Sequence, residues 1–310
     1  MYSIAGGDFV DLLSVFGIGV LRIFQSFFNK NASKYLPSIK KYLRFGLYFE
    51  SAAALFSLFY LCISGFYSFN LFTCICSVLM GSAFILELTT SLKALQNAPL
   101  ALCTLCALGG GIILPSLVGI FLFDEPMSIC GWLGVVLFFV SAYFLMPSEK
   151  HTFRIKKSTI FILLANFLIN GVCGIVNKYF AVKLEGGNAA MFSFLSYTFA
   201  AVLFALVLLT LSVTKKSDGA LEATAVKDPF LPKPVYLFGG LVGAVCASIV
   251  FFTTILSRSV SIIILNTVPN AICLIGSLVI DITILKNRIT PRQIIGVLLN
   301  IIATAVIVIL

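Results

Sequence analysis

Residues 158–178 read STIFILLANFLINGVCGIVNK, a stretch with no charged side chain before its final lysine. About 20 residues of this kind are enough for a helix to cross the hydrocarbon core of a bilayer. Lipid offers the backbone no hydrogen-bond partner, so a spanning segment must pair its own amides and carbonyls as a helix. The stretch therefore predicts a transmembrane helix.

The composition extends this prediction to the whole chain. Of the 310 residues, 60% are hydrophobic and 11% are charged, against about 45–50% and about 25% in soluble domains. So few charged side chains cannot cover the surface of a water-soluble fold, which excludes that class. The formal charge of +9 is then expected in the loops of a membrane protein, and we expect a lipid bilayer and no nucleic acid as its partner.

Ten apolar runs, bounded by charged or turn residues, divide the chain. We predict an all-α polytopic membrane protein whose ten transmembrane helices cover residues 8–29, 44–65, 71–92, 98–123, 129–147, 158–178, 189–212, 235–257, 260–285 and 292–310. Only 213–234 has the polar, proline-containing composition of a mobile loop. The other connections are short, so neighbouring helices should run antiparallel and pack side by side.

The two halves of the chain resemble each other. Asn29–Lys30 at the end of the first run recurs as Asn177–Lys178, and after the polar loop Gly81 and Gly134 recur as Gly243 and Gly296. We interpret this as a duplication, with one five-helix repeat at 1–147, a short basic linker at 148–157 and a second repeat at 158–310. Because each repeat has an odd number of helices, the second enters the membrane from the opposite side, as in alternating-access carriers.

The distribution of charge predicts the orientation. Most of the 21 Lys and Arg lie in or beside 30–44, 148–157, 213–234 and 286–292. By the positive-inside rule these segments are cytoplasmic, and both termini are outside.

Three short motifs connect the chain to a known family. Residues 107–115 (ALGGGIILP) place a proline in helix 4, 121–126 (FLFDEP) place an acidic pair at its end, and 131–134 (GWLG) place glycines in helix 5. This order resembles the EamA-type repeat of the drug/metabolite transporter superfamily, and a weaker second copy ends at 289–296 (ITPRQIIG). The chain departs from the family at Ser277, which stands in the place of the helix 4 proline, and in its outside termini. The resemblance implies a transporter with two inverted repeats.

Charged side chains inside spanning helices are costly and tend to face a cavity or a partner. Four qualify here: Arg22, Glu50, Glu87 and Asp281. Glu87 is the deepest, and we expect it either to bind a proton or a cationic substrate in alternation with Arg22, or to form a fixed ion pair that holds helices 1 and 3 together. Glu50 is expected either to reach the interface or to bind substrate.

Polar stripes mark two further helices. Arg22, Gln25 and Asn29 share one face of helix 1, and Asn170, Cys173 and Asn177 occupy the matching face of helix 6. Both stripes are candidates for binding substrate or proton. The repeated lysines Lys30 and Lys178 indicate either interfacial anchors or an anion-attracting entrance.

Helices 4 and 9 carry, at corresponding places, residues that either break a helix or allow close packing between helices. Gly110 and Pro115 lie in helix 4, and Pro269 lies in helix 9 between Asn266 and Asn270. Interrupted helices at matched positions point to a binding site, where Asn266 and Asn270 are candidate ligands and the glycine and prolines are candidates for gating or a helix break. Close packing through small residues is the alternative.

Together these features predict a secondary-active or facilitative transporter, not an enzyme. We expect an exporter of a small polar or amphipathic metabolite that works by alternating access, with proton coupling as one energy source, in a bacterial cytoplasmic membrane. The alternatives are a nucleotide-sugar or phosphorylated-metabolite exchanger and a cationic drug exporter. No phosphate-binding loop or catalytic motif is present, and all nine cysteines lie in apolar stretches, so we expect no cofactor and no metal. A monomer or a homodimer would suffice.

Overall fold

The computed structural model describes residues 6–33, 35–36, 39–65, 70–97, 100–122, 128–145, 157–183, 188–217, 231–283 and 290–309. Over these residues the chain is all-helical, and the ten predicted helices are confirmed, with ends that differ from the predicted ones by at most five residues. The helices are α1 (Gly6–Ser33), α2 (Ile39–Ser64), α3 (Leu71–Asn97), α4 (Leu100–Leu122), α5 (Ile129–Leu145), α6 (Lys157–Lys183), α7 (Ala189–Ser217), α8 (Lys233–Leu256), α9 (Ile262–Thr283) and α10 (Pro291–Ile309).

Six helices are long and apolar enough to cross a membrane within the described ranges. These are α1, α2, α3, α6, α7 and α8. Helices α4, α5, α9 and α10 contain shorter apolar stretches, of which the longest is Cys106–Leu122 in α4. The long apolar helices are those of a membrane-embedded protein.

Polar side chains fix where four of the helices begin. The Asn70 carboxamide accepts from the Phe72 amide (3.0 Å), and the Ser128 hydroxyl accepts from the Gly131 amide (3.0 Å). Asn188 and Thr290 occupy the same position before α7 and α10. Each satisfies a backbone donor that the first turn of a helix leaves free.

Helices α7 and α8 both extend into the segment that we expected to be a loop. We expected the polar loop at 213–234, but α7 continues to Ser217 and α8 begins at Lys233. Of the remainder, residues 218–230 lie outside the described residues.

The helices assemble into two compact units, and each unit takes segments from both halves of the chain. One unit, here the α5–α10 unit, comprises Met1–Ser26, Leu86–Gly187 and Phe252–Leu310. The other, the α2–α7 unit, comprises Phe27–Ile85 and Asn188–Phe251. Helices α1, α3 and α8 contribute to both units. The repeat domains at 1–147 and 158–310 stay a prediction.

Helices α2 and α7 pack along each other in the α2–α7 unit. Gly46 of α2 lies against the Phe204 ring of α7, and further along α2 the hydroxyls of Ser57 and Ser193 lie 2.9 Å apart. Residue numbers rise on one helix as they fall on the other, so α2 and α7 run antiparallel.

Two glycines let other helices approach closely in the same unit. A Cβ at Gly81 of α3 would lie 2.6 Å from the Ser196 carbonyl oxygen of α7. A Cβ at Gly243 of α8 would lie 2.9 Å from the Phe49 carbonyl oxygen of α2. Both positions therefore require a residue without a side chain.

Helices α5 and α10 pack along each other in the α5–α10 unit. The Asn300 amide donates to the Ser141 hydroxyl (3.0 Å), and Arg292 at the start of α10 donates to the Tyr143 carbonyl near the end of α5 (3.0 Å). The Arg292 guanidinium also lies 4.5 Å from the centre of the Tyr143 ring. These contacts place α5 and α10 antiparallel.

Helix α6 runs parallel to α4 through a glycine seam. A Cβ at Gly110 would overlap the Phe167 carbonyl, and four residues further along both helices a Cβ at Gly171 would overlap Leu114. The result is a close backbone approach between α4 and α6.

Helix α1 approaches α9 in the same way. A Cβ at Gly19 would meet Ile272, and four residues on, a Cβ at Gly276 would overlap Ile23. The rising numbers on both helices make α1 and α9 parallel. This seam holds Arg22 of α1 against α9.

Candidate functional site

Arg22 of α1 binds to α9 inside the α5–α10 unit. Its Nη1 donates to Oδ1 of Asn270 (3.0 Å), and the Asn270 side chain is buried, with 1% of its surface exposed. Asn266 lies one turn earlier on α9 and is also buried. A charge-assisted bond of this kind is stronger than one between neutral groups, so it fixes the guanidinium against α9.

Glu87 of α3 belongs to the same unit and is half-buried. The Cys173 thiol of α6 donates to its Oε2 (3.9 Å), and the positive charge of Arg22 acts on its carboxyl group. Arg22, Glu87 and Cys173, which lie on three different helices, thus belong to one unit of the structure. Each residue of the expected Arg22–Glu87 ion pair also contacts a neutral side chain: Arg22 contacts Asn270, and Glu87 contacts Cys173.

The polar face of α6 continues beyond the predicted stripe to Asn166, which the sequence analysis missed. Its Oδ1 accepts from the Ser91 hydroxyl of α3 (3.0 Å) and from the Asn170 amide one turn along α6 (2.9 Å). Only 1% of its surface is exposed. Asn166 stands four residues before Asn170 on the same helical face, and that spacing is the signal that could have found it.

At the other end of α6, Asn177 and Lys178 hold the last turn of α8. The Thr254 hydroxyl donates to Oδ1 of Asn177 (2.8 Å). The Lys178 ammonium donates to the carbonyl oxygens of Ser257 (2.9 Å) and Val260 (3.4 Å). Ser257 and Val260 lie in the turn that follows α8, so Lys178 fastens this turn to α6.

This arrangement corrects both readings of Lys178. Only 4% of the side chain is exposed, so it is neither an anchor at the membrane surface nor an anion-attracting entrance. An ammonium bonded to two carbonyls stabilises the fold instead. The side chain of Lys30, its counterpart, lies outside the described residues.

Two further candidates belong to the other unit. Glu50 and Asn29 lie in the α2–α7 unit, whereas Gln25 lies in the α5–α10 unit. Glu50 is 1% exposed, so the expectation that it reaches the interface is wrong. The side chain of Asp281 lies outside the described residues.

The two prolines do not interrupt their helices. Helix α4 continues through Pro115 to Leu122, and α9 continues through Pro269 to Thr283. Pro115 is buried and lies where a Cβ on Gly174 would meet its ring at 2.6 Å. The expected helix breaks are therefore absent from the described α4 and α9, and close packing occupies these positions. A part in gating stays a prediction for Gly110, Pro115 and Pro269.

Comparisons with known proteins report the fold alone. No family model matches the chain, and no curated protein matches it. A solved structure described only as "Crystal structure of protein" aligns with 97% of this chain and 98% of its own, with a TM-score of 0.74 and 15% sequence identity. The chain therefore shares its fold, over nearly its whole length, with a protein whose structure has been solved.

Proposed function

We propose that the chain is a secondary membrane transporter of the drug/metabolite type, which moves a small polar or amphipathic metabolite by alternating access. The observation that carries the proposal is the pair of opposite charges, Arg22 and Glu87, within one unit of apolar helices. A charge in a spanning helix is costly, and such residues typically serve a substrate, an ion or a proton. Their neutral neighbours Asn270, Asn170 and Asn166 add polar side chains to the same unit.

The directions of the packed helices support ten crossings. In a chain that crosses the membrane at every helix, two odd-numbered or two even-numbered helices run parallel, and an odd and an even one run antiparallel. The contacts obey this rule for α4 with α6 and α1 with α9, which are parallel, and for α2 with α7 and α5 with α10, which are antiparallel. The shorter helices α4, α5, α9 and α10 follow it as the long ones do.

The seams of small residues support the inverted duplication. Under the sequence match, Gly110 and Phe167 correspond to Ile272 and Gly19, and these pairs meet at the α4–α6 and α1–α9 seams. In the first pair the glycine lies on α4 and the large residue on α6. In the second pair the large residue lies on α9, which corresponds to α4, and the glycine lies on α1, which corresponds to α6. An exchange preserves the helix separation, so two halves of one origin can keep the same packing with different residues.

A second pair of glycines supports the duplication in the α2–α7 unit. Gly81 and Gly243 correspond in the two halves, and each lets its helix approach the backbone of the partner helix, α7 or α2. Helices α2 and α7 also correspond, and they run antiparallel, as inverted copies must. These observations favour a carrier, because inverted halves allow two conformations of similar energy.

Glu87 is the proposed site of proton or cation binding. Its carboxyl has a thiol on one side and lies within reach of the Arg22 charge. When Glu87 releases its proton or cation, the Arg22 charge stabilises the carboxylate that remains. Asn270 holds Arg22 in place during this change. Proton exchange at one carboxyl can thereby be coupled to substrate movement.

Transport in proteoliposomes tests the proposal. The purified chain is reconstituted and assayed for uptake of labelled neutral, cationic and anionic metabolites, with a pH-sensitive dye in the lumen. The variants are Glu87→Gln, Arg22→Gln and, as a control, Asn300→Leu, which removes a buried bond between α5 and α10. We expect saturable uptake that is lost in Glu87→Gln and retained in Asn300→Leu.

Two results would contradict parts of this proposal. Uptake that is unchanged in both Glu87→Gln and Arg22→Gln would reduce the pair to a structural contact. Uptake confined to nucleotide sugars or phosphorylated metabolites and independent of Glu87 would favour an anion exchanger instead.

A further inference from the structure

Two cross-links join α3 and α6 on either side of Asn170. One is the bond from the Ser91 hydroxyl to Oδ1 of Asn166 (3.0 Å), and the other is the contact of the Cys173 thiol with Glu87 (3.9 Å). Ser91 lies four residues after Glu87, which is about 6 Å along the helix axis. The Asn166 cross-link therefore stands one turn from the candidate proton site.

The orientation of the Asn166 amide follows from its neighbours. The Asn170 Nδ2 donates to the backbone carbonyl of Asn166 (2.9 Å), a group that can only accept. The same nitrogen lies 2.9 Å from the side chain of Asn166, whose facing atom must then be the oxygen. This oxygen is left to accept from Ser91, so the bond between α3 and α6 has a fixed direction.

The Thr90 hydroxyl adds little to this cross-link. It has one proton, and its shortest contact is to the Leu86 carbonyl oxygen (2.7 Å), against 3.5 Å to Oδ1 of Asn166. Ser91 is thus the donor that fastens α3 to Asn166. Because a buried amide that loses its partner is costly, α3 is held in this register.

We propose that Asn166 is a positioning residue for Glu87: through Ser91 and Asn170 it sets the register of α3 against α6, and so holds the Glu87 carboxyl at the Cys173 thiol. The inference rests on the proposed function for its meaning in transport. The geometry itself does not require a substrate, so it can be tested without one.

The thiol of Cys173 offers a local measure of the charge on Glu87. Two methanethiosulfonate reagents of similar size, one with an ammonium group and one with a sulfonate, are reacted with the full chain in liposomes. The extent of reaction at Cys173 is read by mass spectrometry of its peptide, and the ratio of the cationic to the anionic rate reports the potential at the thiol. Cys173 is half-buried and is not part of a disulfide.

The reaction is run at a pH high enough for Glu87 to release its proton, where the carboxylate of the parent protein favours the cationic reagent. Glu87→Gln should lower the ratio about thirtyfold, because one unit charge about 4 Å away in a high dielectric changes each rate about sixfold and changes the two rates in opposite directions. We expect Asn166→Leu to lower it about threefold or more in the same direction. Ser91→Ala, which removes the donor of the same bond, should reproduce the change.

Asn300→Leu is the matched control, since it breaks a buried asparagine–serine bond (3.0 Å) in the same unit but between α5 and α10. Its ratio should equal that of the parent. The proposal is overturned if Asn166→Leu and Ser91→Ala keep the parent ratio while Glu87→Gln lowers it. It is also overturned if Asn300→Leu lowers the ratio as much as Asn166→Leu does.

The transport proposal fails separately. If no metabolite is taken up, the ratios still show whether Asn166 sets the position of Glu87. If uptake occurs and depends on Glu87 but Asn166→Leu keeps the parent ratio, only the positioning role is contradicted.

Discussion

Two glycine–phenylalanine contacts between helices should differ in one respect. In one of them a smaller side chain in place of the phenylalanine should relieve the overlap that a glycine-to-alanine substitution creates, and in the other it should not. At Gly46 an added Cβ would lie 2.6 Å from Cε1 and 2.7 Å from Cζ of the Phe204 ring, which are the far atoms of a side chain. At Gly110 an added Cβ would overlap the backbone carbonyl of Phe167. A smaller side chain can relieve the first overlap but not the second.

The magnitudes follow from these contacts. Carbon atoms pack best at about 3.5–4.0 Å, so Gly46→Ala forces the Phe204 ring to move by about 1 Å, and overpacking of this kind costs about 1–3 kcal/mol. Phe204→Leu removes both close atoms, so the double variant should recover about 1–2 kcal/mol. Gly110→Ala should cost about 3 kcal/mol, at the upper end of the range, because α4 and α6 must separate.

Reversible unfolding by SDS in mixed micelles measures each free energy. The helix propensity gained by replacing glycine with alanine, about 1 kcal/mol, is present in both the single and the double variants and cancels in the cycle. The Gly46–Phe204 cycle should show the recovery, and the Gly110→Ala cycle with Phe167→Leu should show a coupling below about 0.5 kcal/mol. Equal coupling in the two cycles, or none at Gly46, would refute the packing described for these seams.

Two further predictions concern other contacts within the units. Lys178→Met should lower the free energy of unfolding by about 1–3 kcal/mol, because two carbonyls in the turn after α8 lose their donor. The exposed Lys183→Met should change it by less than about 0.5 kcal/mol. Equal losses in the same SDS titration would contradict the role of Lys178 in this turn. Ser57→Cys combined with Ser193→Cys should form a disulfide on mild oxidation, since the two hydroxyls lie 2.9 Å apart. Peptide mass spectrometry detects the bond, and its absence in folded protein would contradict the antiparallel register of α2 and α7.

The sequence predicted the helices because apolar runs and turn residues carry most of that information. The starts of α3, α5 and α7 were predicted to the residue, and there Asn70, Ser128 and Asn188 cap the helix. The ends of α6 and α7 were placed five residues early. Hydropathy marks where the hydrocarbon ends, whereas a helix continues as long as its backbone bonds are made.

The site was predicted only in part, because a partner cannot be read from one helix. Arg22 and Asn270 were both candidates, but their bond depends on the α1–α9 seam. Asn166 was missed because its counterpart in the first half is Ile18, so the comparison of the halves showed no polar match there. Lys178 looked like an anchor because it ends an apolar run, and only the structure shows α8 beside it.

The carrier proposal depends on all ten helices crossing the membrane, and the side on which the α4–α5 connection lies tests this most directly. A single tag is placed at 123–127 and another, in a separate variant, at 146–156, and each is labelled in sealed vesicles with an impermeant reagent. Ten crossings predict that the two tags lie on opposite sides of the membrane, because α5 crosses between them. Labelling of both tags from the same side would show that α5 does not cross, and it would contradict the inverted five-helix repeats on which the account rests.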